Sequence, residues 1–477
     1  MKINPFMFRG YDLRGLVGKD LNEEVAEHIG MAYGTFLSRR GIKKAVVGRD
    51  SRPTSSQYGA GIIRGLNWAG VDTIDIGLNL IGTFYWAQYC LDCRAGIYVS
   101  ASHNSAEYNG FKFAIDFSET LVSDGMQALR RMLEEDDYEK GGRVGEQLHR
   151  DVRDAYYADL LKRIPLKKKF RIVVDPGGST AGEMAPQLLG LAGAEVVKKN
   201  CALDPLFSLG TPDPTDIKVA ERLSREVLQA KADIGFSYDA DGDRIGVVDE
   251  KGTILWNDIL VALFAADVLL EHPGAIIMYN TLCSRAVEET ILRHGGKPFM
   301  WRTGHSFLKK KNQEIGAAFI GELSGHFFFS ADFYNHDDGL YSTMRLLWYL
   351  EKNKLSLSEA IAVFPKYISS PEIKIFCPDD KKAKLIQDLA PILEEDFPDG
   401  RIVSDERAGD GARIDFEDAM FVVRYSQNGP YLTLKFEAKN RERYDFLRKY
   451  ISELLHRYEE IDWASAINVN TDVLTIG

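Results

Sequence analysis

Apolar and polar positions fall along most of the chain in one arrangement that recurs three times. Each copy opens on a run of buried-strand character: KKAVVGRD, FRIVVDPGG and GAIIMYN. A helix-length segment follows, then a glycine and a second strand: WAGVDTIDIG, LAGAEVVKK and HGGKPFMW. A third short apolar run closes each copy: AGIYVS, ADIGFSY and AAFIGE. Short apolar runs bounded by turn residues and separated by helix-length stretches predict parallel sheets covered by helices on both faces. In such sheets ligands bind beyond the carboxyl ends of the strands. Function is therefore expected just after each third strand, in SASHNSAEYNGFK, DADGDRIG and ELSGHFFF. All three segments are small, polar and glycine-containing, and each offers a different chemistry, as three related domains serving one site would.

The last hundred or so residues change pattern. A strand and a helix (KKAKLIQDLAPILEE) are followed by GARIDF and by AMFVVRYS-QNGP-YLTLKFEA as consecutive strands, then by a charged helix. That is α+β. The fold class is thus α/β, with three related domains and a smaller C-terminal α+β domain. The charged stretch 150–169 and the region around Pro365 are the expected boundaries, which gives 1–150, 151–252, 253–367 and 368–477. At about 150 residues per domain the 477 residues alone suggest roughly three domains, so the pattern adds one. Residues past Asp462 read as a tail without a role.

Composition narrows the function classes. With 45% hydrophobic and 27% charged residues the chain is near the globular norm, and disorder, collagen and coiled coil are excluded. Lys and Arg number 59 against 70 Asp and Glu, for a formal charge of −11. Neither nucleic acid nor an anionic membrane suits so acidic a chain, so positive charge for a phosphorylated substrate must be gathered locally. The opening MKINPFMFRGYD has no apolar signal core, and the longest apolar run, 259–270, is interrupted by Asp267 and too short to span a bilayer. Five thinly spread cysteines fit a reducing, cytoplasmic setting. Cys90 and Cys93 form a C-x-x-C without the second pair a zinc site needs, and read as two semi-buried thiols.

The loops carry the candidate chemistry. Asp239, Asp241 and Asp243 alternate in YDADGDR, where a tight turn brings carboxylates two residues apart to one point. Hard oxygen ligands at short reach suit Mg²⁺, with positions left for a phosphate. A calcium loop lacks its closing Glu, and a solvated acidic turn is the plain alternative. Arg244 follows, its fork matched to phosphate oxygens. Ser102 lies just past a strand, without the G-x-S-x-G elbow of a hydrolase. His103 is its neighbour, and side chains adjacent in sequence are expected to diverge. Metal, serine and arginine together point to phosphoryl transfer through Ser102. Glu322, Ser324 and His326 alternate as a reader of sugar hydroxyls, with a helix N-cap at Ser324 as the alternative. Arg424, Ser426, Asn428 and Gly429 join two strands as an anion cradle or as an ordinary hairpin turn.

The set FRGYDLRG, GRDSR, SASHNxxxYNGFK, DADGDR, GELSGH and a terminal R-x-S loop resembles the α-D-phosphohexomutase family over nearly the whole chain, in order and spacing. The resemblance implies four domains around a central cleft, three of them related α/β units with mixed sheets. It implies a reversible exchange of phosphate between the 1 and 6 positions of a hexose phosphate, through a phosphoserine at Ser102 and a hexose 1,6-bisphosphate. Mg²⁺ would be held by Ser102, Asp239, Asp241 and Asp243. Tyr11 and Arg14 would line the reacting centre and Arg244 would stabilise phosphate. His103 stands beside the nucleophile in the catalytic set, and Lys112 and His326 are the acid–base candidates. Glu322 and Ser324 would grip sugar hydroxyls, and Arg424, Ser426, Asn428 and Gly429 would hold the phosphate not being transferred. Thr303, Gly304 and His305, in WRTGHSFLKKKN, are similar to the phosphomannomutase/phosphoglucomutase branch rather than to phosphoglucosamine mutases, as is Leu323 in GELSGH. The implied partners are a phosphorylated hexose and neither nucleic acid nor membrane, in a monomer or homodimer. Two departures bear on sugar choice: Tyr279-Asn-Thr-Leu-Cys-Ser284 has Asn280 and Leu282 where relatives carry an acidic and a basic residue, and Gln427 and Asn428 stand in the terminal loop.

Overall fold

The computed structural model describes residues 3–427 and 429–475. The chain forms two compact units, one of residues 1–255, 309–314 and 324–360, the other of 256–308, 315–323 and 361–477.

The threefold repeat is realised strand for strand. In the first copy Lys44–Arg49 lies between Asp72–Leu78 and Ala95–Val99, parallel to both. In the second, Arg171–Val174 lies in the same way between Glu195–Lys198 and Ile234–Tyr238. In the third, Ile276–Asn280 lies between Lys297–Trp301 and Phe319–Gly321. The first strand of every copy is thus the middle one. Its apolar run (Ala45, Val46, Val47; Ile172, Val173, Val174; Ile277, Met278) is buried, as a strand covered on both faces requires.

The sheets are mixed, as the resemblance implies, and add antiparallel strands to the parallel pairing read from the apolar runs. Tyr108–Asp116 returns antiparallel beside Ala95–Val99 and also pairs with Leu13–Leu16. Ile245–Asp249 likewise returns antiparallel beside Ile234–Tyr238. The connections, residues 100–107 and 239–244, are too short for a parallel crossover, which takes a dozen residues or more. The chain can only turn back. Two of the three candidate loops are therefore hairpin connections, with both ends clamped by ladder hydrogen bonds.

The stretch 150–169 is not a loose linker. It contains the helix Arg153–Arg163, whose Tyr156, Tyr157 and Leu160 are buried. Tyr156 donates its hydroxyl to Asp338, the N-cap of the helix Gly339–Asn353, whose Oδ1 also accepts from the Tyr341 amide at 2.9 Å. Burial pushes the Asp338 carboxyl up to about 7, against the pull of these donors. A carboxyl whose folded pKa is raised contributes stability that is complete below its unfolded value of 3.8 and is lost as pH rises through about 7. The swing amounts to about 4 kcal/mol at most. Asp338→Asn keeps the accepting oxygen and removes the titration. Its thermal midpoint is expected to fall less between pH 5.5 and 8 than that of the parent, in parallel melts; equal slopes would exclude Asp338 as the source.

In the second unit, the C-terminal strands Gly411–Asp415, Ala419–Tyr425 and Tyr431–Ala438 form an antiparallel meander. The helices Lys382–Asp396 and Arg441–Leu455 contribute Leu385, Leu389, Leu447 and Ile451 to its core. The tail after Asp462, given no role from the sequence, is docked. Val469 exchanges backbone hydrogen bonds with Lys374 at 2.9 and 3.0 Å, and Leu474 is buried in the same core. Among the described residues no helix is long and apolar enough to cross a membrane.

Candidate active site

Ser102 follows the strand Ala95–Val99 with a left-handed backbone, φ 48°. That conformation decides where its side chain points. Ser102 Oγ donates to Asp239 Oδ2 at 2.8 Å and lies 3.2 Å from His103 Nδ1. Adjacent side chains diverge along an extended strand; the left-handed turn at Ser102 brings them together, which corrects the expected divergence. Two arginines fix the loop. Arg14, itself bonded to Asp12, reaches the Ala101 carbonyl at 3.2 Å and Asn104 Oδ1 at 2.5 Å. Arg52 is fully buried and donates to the carbonyls of Ser102, Asn104, Ser105 and Tyr108. Tyr11 is buried within electrostatic range of both Arg14 and Arg244.

The aspartate loop is held by its own backbone. The amides of Gly242 and Arg244 both donate to Asp239 Oδ1, at 3.0 and 3.3 Å. Gly242 has φ +72°, and a Cβ there would meet Leu80 Cδ2 at 2.6 Å, so the position favours glycine. One oxygen from each of Asp239, Asp241 and Asp243 lies within 4.8 Å of the others, all three side chains being buried. Lys112 Nζ stands 2.8 Å from both Asp241 and Asp243. Burial and the two neighbouring carboxylates push Asp239 well above the ordinary carboxyl range. Burial opposes the Asp243 carboxylate too, but Lys112, His326 and Arg244 outweigh it and hold this group well below the usual range. For Lys112, burial is more than offset by Asp241 and Asp243, and its ammonium is held well above the ordinary lysine value.

These residues fit a divalent cation. Asp241 Oδ1 is buried without a hydrogen-bond donor among the described residues, beside two further hard oxygen donors. Three carboxylates out of water repel one another unless cations offset them.

The Ser324 and His326 side chains belong to the same unit. Ser324 Oγ lies 2.8 Å from His326 Nδ1, and the residues that follow enter the short strand Phe327–Phe328, so the N-cap alternative for Ser324 is excluded. His326 Nε2 faces Asp243 Oδ1 and Arg244 Nε, each at 3.3 Å. The first unit therefore gathers Tyr11, Arg14, Ser102, His103, Lys112, the three aspartates, Arg244, Ser324 and His326. Behind His326 lies a pair that sequence reading missed. Asp337 Oδ2 is 3.9 Å from His326 Nε2, and Lys309 Nζ is 3.8 Å from Asp337 Oδ1 and 3.9 Å from the Tyr85 ring centroid. Burial lowers Lys309 to about 8 despite Asp337. In sequence it sits in the charge run KKKN.

The other expected residues lie in the second unit. At the carboxyl ends of its parallel strands, Asn280 Nδ2 donates to Thr303 Oγ1 at 3.1 Å, and Asn280 Oδ1 accepts from the Leu323 amide at 3.2 Å. Gly304, at φ 127°, donates its amide to Glu322 Oε1 at 3.0 Å, and His305 opens the helix His305–Ile315. Leu282 is buried. In the C-terminal hairpin Arg424 forms a bidentate pair with Asp410, at 2.8 and 2.5 Å. Lys382, not foreseen from sequence, donates to the carbonyls of Ser426 and Gly429 at 2.6 and 2.9 Å and so pins both ends of the turn. Asn428 lies outside the described residues.

The phosphoglucomutase/phosphomannomutase family models match the chain in order: alpha/beta/alpha domain I over residues 5–140, domain II over 154–252 and domain III over 256–367. The chain is 39% identical over 433 residues to a phosphomannomutase/phosphoglucomutase of Pseudomonas putida, covering 91% of each. It is 31% identical over 458 residues to a phosphoglucomutase of Neisseria gonorrhoeae, covering 96% of this chain and 98% of the other. Among solved structures, a phosphoglucomutase/phosphomannomutase family protein of Burkholderia thailandensis superposes with a TM-score of 0.87 at 32% identity, over 96% of this chain and 98% of that one. With matching repeats, loops and relatives over almost its full length, the chain belongs to the phosphoglucomutase/phosphomannomutase family, the α-D-phosphohexomutases.

Proposed function

We propose that the protein interconverts hexose 1-phosphate and hexose 6-phosphate, of glucose, mannose or both. The observation that carries this reading is Ser102, its hydroxyl bonded to Asp239, one of three clustered carboxylates that Lys112, Arg244 and His326 face. The relatives named above, phosphomannomutases/phosphoglucomutases and a phosphoglucomutase, support the substrate class. The same reading divides the chain into domains 1–150, 151–252, 253–367 and 368–477.

In this mechanism Ser102 is carried as phosphoserine. A sugar hydroxyl attacks its phosphorus; the P–Oγ bond breaks, the new O–P bond forms, the hydroxyl proton passes to His326, and the Lys112 ammonium, which can only donate, supplies the proton of the leaving Ser102 oxygen. The product of that half-reaction is a hexose 1,6-bisphosphate, which turns round and returns its other phosphoryl group to Ser102, with the proton moving the opposite way. Arg14 and Arg244 face the phosphoryl oxygens. Asp239, Asp241, Asp243 and the Ser102 oxygen would hold Mg²⁺, which when bound offsets the negative charge of the transferring group. Glu322 and Ser324 are assigned to sugar hydroxyls, and Thr303, Gly304 and His305 to the substrate. The turn Arg424, Ser426, Asn428 and Gly429 takes the phosphate that is not reacting, so that remote binding energy orients the reacting hydroxyl.

Glucose, mannose and glucosamine 1-phosphates, each primed with the matching 1,6-bisphosphate, are expected to give 6-phosphates from the first two in a coupled assay; release of inorganic phosphate instead would identify a phosphatase. Arg424→Ala is expected to raise KM for the 1-phosphate about 10- to 100-fold, the worth of a charge-assisted phosphate contact. An unchanged KM in steady-state kinetics would remove Arg424 from the phosphate site.

A further inference from the structure

Arg52 hydrogen-bonds to none of the side chains assigned to the chemistry, yet one buried guanidinium supplies hydrogen bonds to four backbone carbonyls at residues 102–108. Nη1 donates to Ser105 O at 2.7 Å and Tyr108 O at 3.0 Å; Nη2 donates to Ser102 O and, at 2.7 Å, to Asn104 O. The fork is itself immobilised. Nε donates to Asp50 Oδ2 at 3.1 Å, and Asp50 Oδ1 accepts from the Arg52 amide and from Ser55 Oγ. Both side chains of the pair are fully buried.

A carbonyl buried without a donor costs about 1–3 kcal/mol, and a turn carries several that no strand ladder can take. Arg52 supplies donors to the carbonyls of residues 102, 104, 105 and 108 at once. It thereby stabilises the conformation in which Ser102 has φ 48°, a region that disfavours side chains other than glycine. That same φ directs Ser102 Oγ at Asp239. We infer that Arg52 is a positioning residue for Ser102, holding the nucleophile loop through its carbonyls. Lysine cannot replace it: an ammonium keeps the charge but has three donors and no planar fork.

This inference rests on the mutase reading, and its test separates the two. Arg52→Lys and Asp50→Asn would be compared with the parent by steady-state kinetics, by thermal melting, by hydrogen exchange of the 101–108 backbone, and by intact mass after incubation with glucose 1,6-bisphosphate. The expected result for Arg52→Lys is a kcat reduced about 10- to 100-fold, as for a misplaced reacting group, with KM within threefold. Faster exchange confined to 101–108 and slower Ser102 phosphorylation should accompany it. Parent-like kcat, or a fall in kcat with unchanged exchange in 101–108, would overturn the assignment. If Arg52→Lys does not fold, Asp50→Asn, which frees the fork from its anchor, must show the same local loosening or the assignment fails. If the parent has no mutase activity, the function falls while the exchange comparison still decides what Arg52 holds.

Discussion

Ser102→Ala folds and does not interconvert glucose 1-phosphate and glucose 6-phosphate: the expected fall in kcat is on the order of 10⁴-fold or more, since the group that carries the phosphoryl is gone. The fold survives for identifiable reasons. Asp239 Oδ2 loses its bond from Ser102, but Oδ1 keeps the Gly242 and Arg244 amides. The loop keeps both arginine braces, which bind main-chain carbonyls and Asn104 rather than the serine side chain. Incubation with glucose 1,6-bisphosphate should add one phosphoryl group to the parent and none to the variant, read by intact mass. Substantial turnover in Ser102→Ala would end the phosphoserine reading.

The second large effect is expected from the carboxylate cluster, where activity and stability should part company. Removing divalent metal with a chelator is expected to lower turnover by about three orders of magnitude, with recovery on adding Mg²⁺. The melting temperature should hardly move, because the Lys112 ammonium already stands 2.8 Å from both Asp241 and Asp243. Lys112→Met removes that internal counter-ion. In chelator it is expected to lose about 3–5 kcal/mol, the loss seen when a buried charge is left without its partner. Mg²⁺ should restore much of that stability to the variant and add little to the parent. A variant whose melting is indifferent to both chelator and Mg²⁺ would show that the three aspartates do not act as a charge cluster.

Much of this was legible in the sequence, and what was not has physical causes. The three-strand repeat could be read because apolar runs and glycine turns are local signals, and every run expected in it is a strand. The antiparallel returns at Tyr108–Asp116 and Ile245–Asp249 follow from connection length, a property that apolar periodicity does not register. The aspartates and Ser102 stood out because alternating carboxylates and a serine just past a strand are local signals. Arg52 lies in GRDSR, but its role was not legible, because its partners are carbonyls and every residue has one. Lys309 was hidden for another reason: a lysine among lysines looks solvated, and only the fold shows one of them turned onto Tyr85 and Asp337. The helix Arg153–Arg163 was likewise masked by its charges, although Tyr156, Tyr157 and Leu160 already mark one face at helical spacing.

The contact at Gly242 reaches beyond glycine chemistry. Leu80 fills the space a Cβ would need there, and the Ile81 amide, at the first residue of the helix Ile81–Cys90, donates to the Asp241 carbonyl at 3.0 Å. The helix that follows the second strand of one repeat is therefore started by the loop of the next. Expressed apart, the segments before and after residue 150 would each lack part of the other's scaffolding: the first a partner for the opening turn of that helix, the second the wall that shapes its aspartates. That helix and that loop belong to one compact unit, and mixing the two segments should recover structure that neither has alone.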